Sequence, residues 1–217
     1  MRHFRILTVL AVLLLAFSGS ALADSVTMTF LGPAGNNSGG VYTYPYLFSI
    51  NDSPTPVGLI CDAFTNEVTA GQTWTATVSN LADAAGMFAG QTQNYLAAGL
   101  IFADILDHKI DPNIGNWAIW GLFSTTAAND PYFTSNGIAD VINKYLGLAA
   151  NASANDVAGL VLYTAVGSAP GQGPQEFIGR VSVPEPAMIV MLLALGVGVA
   201  GLFFFRQRLG LRLVQQA

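Results

Sequence analysis

The sequence ends in an uncharged apolar run from Ala187 to Phe205, and an arginine-rich tail follows this run. As a helix rising about 1.5 Å per residue, a run of this length covers roughly the 30 Å hydrocarbon core of a bilayer. A helix also satisfies its own backbone hydrogen-bonding groups, which lipid cannot do. The run therefore predicts one transmembrane helix over residues 187–205.

The charges beside this run predict its orientation. Arg206 and Arg208 follow it at once, and arginines close to a membrane span are typical of its cytoplasmic end. Everything before Pro184 is then expected on the outer side of the membrane.

The N-terminus agrees with this topology. Arg2 and Arg5 precede a short apolar stretch, and small residues including Ala21 and Ala23 follow it. This pattern is typical of a secretory signal peptide over residues 1–23 that is cleaved after Ala23. It predicts the Sec export machinery and signal peptidase as partners.

The segment Pro184-Glu185-Pro186, followed by one apolar helix and an arginine-rich tail with Arg206 and Arg208, resembles the PEP-CTERM sorting signal. The resemblance covers residues 184–217. It implies an exported protein of a Gram-negative bacterium, usually a maker of exopolysaccharide, that an exosortase recognises near Pro-Glu-Pro. It further implies a membrane-anchored precursor, later delivered to the cell surface or extracellular space, with exopolysaccharide as a further partner. A plain single-span anchor is the alternative.

Residues 24–183 form the predicted extracytoplasmic domain. Its only lysine and arginine residues are Lys109, Lys144 and Arg180, and acidic residues outnumber them. Nucleic acid is therefore disfavoured as a partner, because binding to phosphates depends on clusters of lysine and arginine. The single cysteine excludes a disulfide within the chain, so stability must come from packing.

The apolar pattern of this domain changes twice along the chain. Period-two alternation predicts strands, and spacings of three and four residues predict helices. The predicted strands are 26–30, 42–50, 57–62, 74–78, 160–166 and 176–182, and the predicted helices are 91–107, 113–123 and 138–146. Pro45 cannot donate to a strand ladder, so strand 42–50 is expected at an edge or with a bulge. We expect an α+β domain in which a helical insert interrupts an antiparallel sheet or barrel.

A second resemblance involves Cys61, at the end of a predicted strand, and Asn116, in the helical segment Asn-Trp-Ala-Ile-Trp. The two segments resemble those of thioester-forming adhesin domains, in which a cysteine joins a glutamine. Here Asn116, one methylene shorter, stands at the glutamine position. The resemblance implies a thioester that surface amines can attack. The alternative for Cys61 is a small buried apolar side chain.

Other candidate chemistry rests on carboxylates. Asp104, Asp107, Asp111 and Asn113 gather oxygen ligands that suit Ca²⁺, although their spacing is not that of an EF-hand, and a solvated helix end is the alternative. Asp62 and Glu67 could be considered a hydrolase pair, as could many pairs in any acidic domain.

The sequence as a whole favours a non-enzymatic surface or matrix protein, with no catalytic residue, cofactor or metal site predicted. An adhesin or ligand-binding module with the Cys61–Asn116 thioester is the alternative. A secreted hydrolase is a third, weaker hypothesis.

Overall fold

The computed structural model describes residues 25–180. The predicted signal peptide, the predicted transmembrane helix and the sorting signal lie outside this range. The strands are β1 (Ser25–Pro33), β2 (Asn37–Ser38), β3 (Val41–Tyr42), β4 (Tyr46–Ile50), β5 (Val57–Cys61), β6 (Thr73–Asn80), β7 (Leu160–Ala165) and β8 (Phe177–Arg180). The α-helices are α1 (Thr92–Leu106), α2 (Pro112–Phe123), α3 (Thr125–Ala128), α4 (Pro131–Ser135) and α5 (Ile138–Ala149), and 3₁₀ turns span Leu81–Asp83 and Ala154–Val157.

The predicted α+β class with a barrel and a helical insert is confirmed. A closed antiparallel barrel has the strand order β1-β4-β5-β8-β7-β6, and β2 and β3 form a separate small hairpin. All five helices lie in the chain between β6 and β7. None of the helices within residues 25–180 has the length and apolar character that crossing a bilayer requires.

Aromatic side chains fill the inside of the barrel. Successive side chains of a strand point to opposite faces, so β1 buries Met28 and Phe30 between more exposed threonines. The ring of Phe48 lies 4.6 Å from that of Phe177 and 5.8 Å from that of Trp74, measured between centroids. The apolar residues of the alternating pattern therefore form the inward face of the barrel.

Strands β5, β7 and β8 are buried on their other face too. Ile60, Leu162 and Ile178 are fully buried there, although their sequence neighbours face the barrel interior. The helical insert reaches this side of the barrel. Tyr95 of α1 donates a hydrogen bond to Glu176, just before β8, and Asn116 of α2 donates one to Cys61 of β5. This interface between helices and barrel contains the polar groups discussed below.

The prediction of one strand over residues 42–50, at an edge or bulged, is wrong. The chain leaves β3 after Tyr42 and enters β4 only at Tyr46, and β4 pairs on both sides, with β1 and β5. Pro45 has no amide hydrogen for a ladder, so the strand is interrupted there. The irregularity in register lies in β1, between Phe30 and Gly32.

The three predicted helices correspond to α1, α2 and α5. Asp111-Pro112 lies between α1 and α2 and begins α2, because the Asp111 carboxylate accepts hydrogen bonds from Asn113 N and Ile114 N and proline suits the first helical position. The third helix, predicted over residues 138–146, continues through Gly147 to Ala149 as α5.

Candidate functional site

Asn116 connects α2 to β5. Its Nδ2 donates to the main-chain oxygen of Cys61 at 2.9 Å, and its Oδ1 accepts from Tyr44 N at 2.8 Å. The side chain is fully buried. The structure thus brings the two residues of the thioester hypothesis together, but both ends of the Asn116 amide are engaged with main-chain groups.

The Cys61 thiol is enclosed. Its side chain is fully buried, and Sγ donates to Ala63 O at 3.7 Å. Burial, with the neighbouring Asp62 carboxylate adding to it, raises the pKa of the Cys61 thiol. A neutral, buried thiol behaves as a small apolar side chain.

A second polar group on this interface is Glu176, the residue just before β8. Its Oε1 accepts from the Tyr95 hydroxyl at 2.6 Å, and its Oε2 accepts from Met87 N at 2.6 Å and from the Thr164 hydroxyl. The carboxylate is fully buried. It therefore joins α1, β7 and the 84–91 loop to the start of β8.

Asp62 lies beside this group, immediately after β5. Its side chain is fully buried, and neither carboxylate oxygen accepts a hydrogen bond from the described residues. Burial, and then the charge of Glu176, raise the pKa of Asp62 well above its ordinary value. A buried acidic group of this kind requires neutralisation.

The sequence had singled out Asp62 only as half of a hydrolase pair with Glu67. The structure places Asp62 in the interior and Glu67 at the surface, so the two carboxyl groups do not line one open cleft. Glu176 was missed as a functional candidate. The signal available in the sequence was an acidic residue directly before the apolar residues Phe177 and Ile178.

Asn66 holds a distant loop, and this role too was missed. Its Oδ1 accepts from Gly171 N at 2.8 Å. Its Nδ2 lies within 3.3 Å of four carbonyl oxygens of the Gly/Pro-rich loop 168–174, those of Ala169, Gln172, Gly173 and Pro174. One buried amide therefore organises the loop that precedes β8.

The acidic helix end considered for Ca²⁺ is bonded to protein donors. Lys109 Nζ lies 3.0 Å from Asp104 Oδ1 and 2.9 Å from Asp107 Oδ2, and the Tyr145 hydroxyl donates to Asp104 Oδ2. Asp111 caps α2, as described above. The remaining candidate ligand, the side-chain oxygen of Asn113, accepts from the Thr43 hydroxyl at 2.6 Å. Within residues 25–180 no group of three His, Cys, Asp or Glu side chains is placed to hold a metal ion.

The residues of the two processing signals lie outside the described part of the chain. These are Ala21 and Ala23 at the N-terminus, and Pro184, Glu185, Pro186, Arg206 and Arg208 at the C-terminus.

Comparison with known protein families places one motif on the chain. The PEP-CTERM protein-sorting motif matches residues 182–208, a range that contains Pro184, Glu185 and Pro186. No curated protein and no solved structure matches the chain, so these comparisons do not support the likeness to thioester domains. The chain therefore carries a PEP-CTERM sorting motif, which marks an exported, membrane-anchored precursor for processing by an exosortase.

Proposed function

We propose that this chain is a non-enzymatic component of the cell surface or extracellular matrix, delivered there after an exosortase has acted on its C-terminal motif. The observation that carries the proposal is the match to the sorting motif at residues 182–208. The motif begins two positions after Arg180, the last residue of β8. The folded domain and the sorting segment therefore adjoin in sequence.

The strand order supports a domain that survives processing. β8 pairs with both β5 and β7, and β1 pairs with β4 and β6, so the barrel is closed by strands that all precede the motif. Cleavage near Pro184 would remove no strand of the barrel. A closed barrel also leaves no unpaired strand edge for aggregation, which suits a protein exposed outside the cell.

The chemistry of the domain fits a structural or adhesive role. Cys61, Asp62 and Glu176, the groups with the most unusual surroundings, are fully buried and lie out of reach of a substrate. The acidic surface suits solubility within a hydrated matrix. Exopolysaccharide is the partner that we propose for it.

The sorting proposal is tested in a host that has an exosortase. Changing Pro184, Glu185 and Pro186 to alanine should leave an unprocessed protein in the membrane fraction, detected by its mass on immunoblots. The matched control changes Gln215 and Gln216 to alanine, beyond the matched motif, and should be processed normally. Normal processing of the Pro-Glu-Pro variant would refute the proposal.

An adhesin with a thioester is the second candidate function, and the contact between Asn116 and Cys61 is the observation that favours it. Bond formation between Cys61 Sγ and the Asn116 side-chain carbonyl carbon would release one ammonia. The intact mass of the purified chain would then be lower by one ammonia, and Cys61 would resist alkylation after unfolding. A mass that is not lowered by one ammonia, together with free alkylation of Cys61, would exclude the thioester. The structural role would then remain.

A further inference from the structure

Asp62 and Glu176 face each other across neighbouring strands. Asp62 N donates to Glu176 O at 3.3 Å, one position beyond the paired residues Cys61 and Phe177. Directly opposed residues of an antiparallel pair project to the same face, with Cβ atoms about 4.5–5.5 Å apart. Both side chains are fully buried. Two carboxyl groups therefore lie side by side without solvent.

The two carboxyl groups have different partners. Glu176 accepts hydrogen bonds from Met87 N, the Tyr95 hydroxyl and the Thr164 hydroxyl, and three donors stabilise a negative charge. Asp62 has no donor among the described residues for either oxygen. A protonated Asp62 would resolve this difference, because it can donate its hydrogen to Glu176.

The bases of the described domain are engaged or exposed elsewhere. Lys109 binds Asp104 and Asp107, Lys144 lies 4.8 Å from the centre of the Tyr145 ring, and Arg180 and His108 are exposed. The titratable groups that interact electrostatically with Asp62 are Glu176 beside β8, Tyr95 of α1 and Cys61 of β5. All of these are neutral or negative near neutral pH.

We propose that Asp62 carries a proton at neutral pH and donates it in a hydrogen bond to Glu176, and that this proton holds the helical insert on the barrel. Its loss at alkaline pH would place two negative charges against each other in the interior. The repulsion would weaken the bonds of Glu176 to Tyr95 of α1 and to Met87 of the 84–91 loop. The pair would then make the attachment of the helical insert to the barrel dependent on pH.

The direction of the pH effect follows from linkage. Burial and the charge of Glu176 raise the pKa of Asp62 in the folded state above that in the unfolded state. The folded state therefore holds the proton more tightly, and stability falls as pH rises from the unfolded pKa through the folded one. Asp62→Asn removes this dependence, because its Nδ2 can donate to Glu176 at every pH.

The test compares melting temperatures of the full chain in mild detergent from about pH 5 to about pH 9. The melting temperature of Asp62→Asn minus that of wild type should increase with pH. The matched control, Asp52→Asn, changes an exposed acid and should keep the wild-type dependence. Hydrogen exchange at one alkaline pH should be slower in Asp62→Asn than in wild type over residues 84–106.

Three results would overturn the proposal. One is a parallel pH dependence of wild type and Asp62→Asn. Another is a stabilisation of wild type by Ca²⁺, reversed by a chelator and absent in Asp62→Asn, which would identify a cation in place of the proton. The third comes from the infrared spectrum of wild type at neutral pH. It is the absence of the carbonyl band that a buried protonated carboxyl group would give.

Discussion

Tyr95 of α1 donates its hydroxyl hydrogen to Glu176 Oε1 at 2.6 Å. The same hydroxyl oxygen accepts from Phe88 N at 2.9 Å. One side chain of α1 therefore connects the loop before this helix with the start of β8. Burial, with Asp62 and Glu176 adding to it, raises the pKa of Tyr95. Its hydroxyl therefore stays protonated and keeps donating across the pH range in which the protein is expected to be folded.

Replacing this hydroxyl should destabilise the domain. Tyr95→Phe removes a donor from the buried Glu176 carboxylate and leaves Phe88 N without its acceptor. We expect a loss of about 1–3 kcal/mol in the free energy of unfolding, measured by urea denaturation. Tyr42→Phe is the matched control, because Tyr42 is 51% exposed and should cost almost nothing. Equal losses in the two variants would contradict the role of Tyr95.

Two glycines allow a paired prediction of opposite sign. A Cβ atom at Gly86 would lie 2.5 Å from Glu176 Oε2 and 2.6 Å from the Tyr95 hydroxyl. Gly86→Ala should therefore cost about 1–3 kcal/mol, since it pushes on a packed polar group. Gly147, within α5, has no atom within 4 Å of such a Cβ. Gly147→Ala should stabilise by about 0.5–1 kcal/mol, because alanine favours helix. Thermal and urea unfolding of both variants check the pair.

Local patterns were enough to predict most strands of the barrel and the three long helices. The alternation of Met28 and Phe30 with polar residues in β1 reflects one inward face, and it needs no knowledge of the partner strand. The expectation for the strand around Pro45 was wrong because it rested on the local sequence alone. Pairing with β1 and β5 holds β4 inside the barrel, and α5 continues beyond its predicted end at residue 146 to Ala149.

The polar contacts of the interface were harder to predict. Asp62 and Glu176 are distant in sequence, and only the pairing of β5 with β8 brings them together. A single sequence carries no direct record of strand pairing. The resemblance to thioester domains pointed to Asn116. In the structure its side-chain amide is hydrogen-bonded to the main chain of Tyr44 and Cys61.

Asn66 gives a prediction about the loop before β8. Asn66→Asp keeps the shape of the side chain but turns an oxygen toward the four carbonyl oxygens of loop 168–174. Because the oxygen that replaces Nδ2 would then meet only acceptors, we expect a loss of about 3 kcal/mol in the free energy of unfolding and faster proteolysis within the loop. Asn155→Asp, at an exposed position, should change neither quantity. Unchanged proteolysis of Asn66→Asp would show that the loop is held by other contacts.

The last prediction concerns Cys61, whose buried thiol reports on opening of the barrel. It is the only cysteine of the chain, so an alkylating reagent labels one known site. Burial raises the pKa of the thiol, and the thiolate is the reactive form. We therefore expect very slow labelling in the native protein and fast labelling in urea, followed by mass spectrometry.

The native labelling rate should also follow stability. Where reclosing is faster than alkylation, the rate tracks the population of the open state, so Gly86→Ala should raise it and Gly147→Ala should lower it. Labelling of the native protein at the unfolded rate would contradict the burial of Cys61. Resistance in urea, together with a mass lower by one ammonia, would instead establish the acyl bond to an amide side chain.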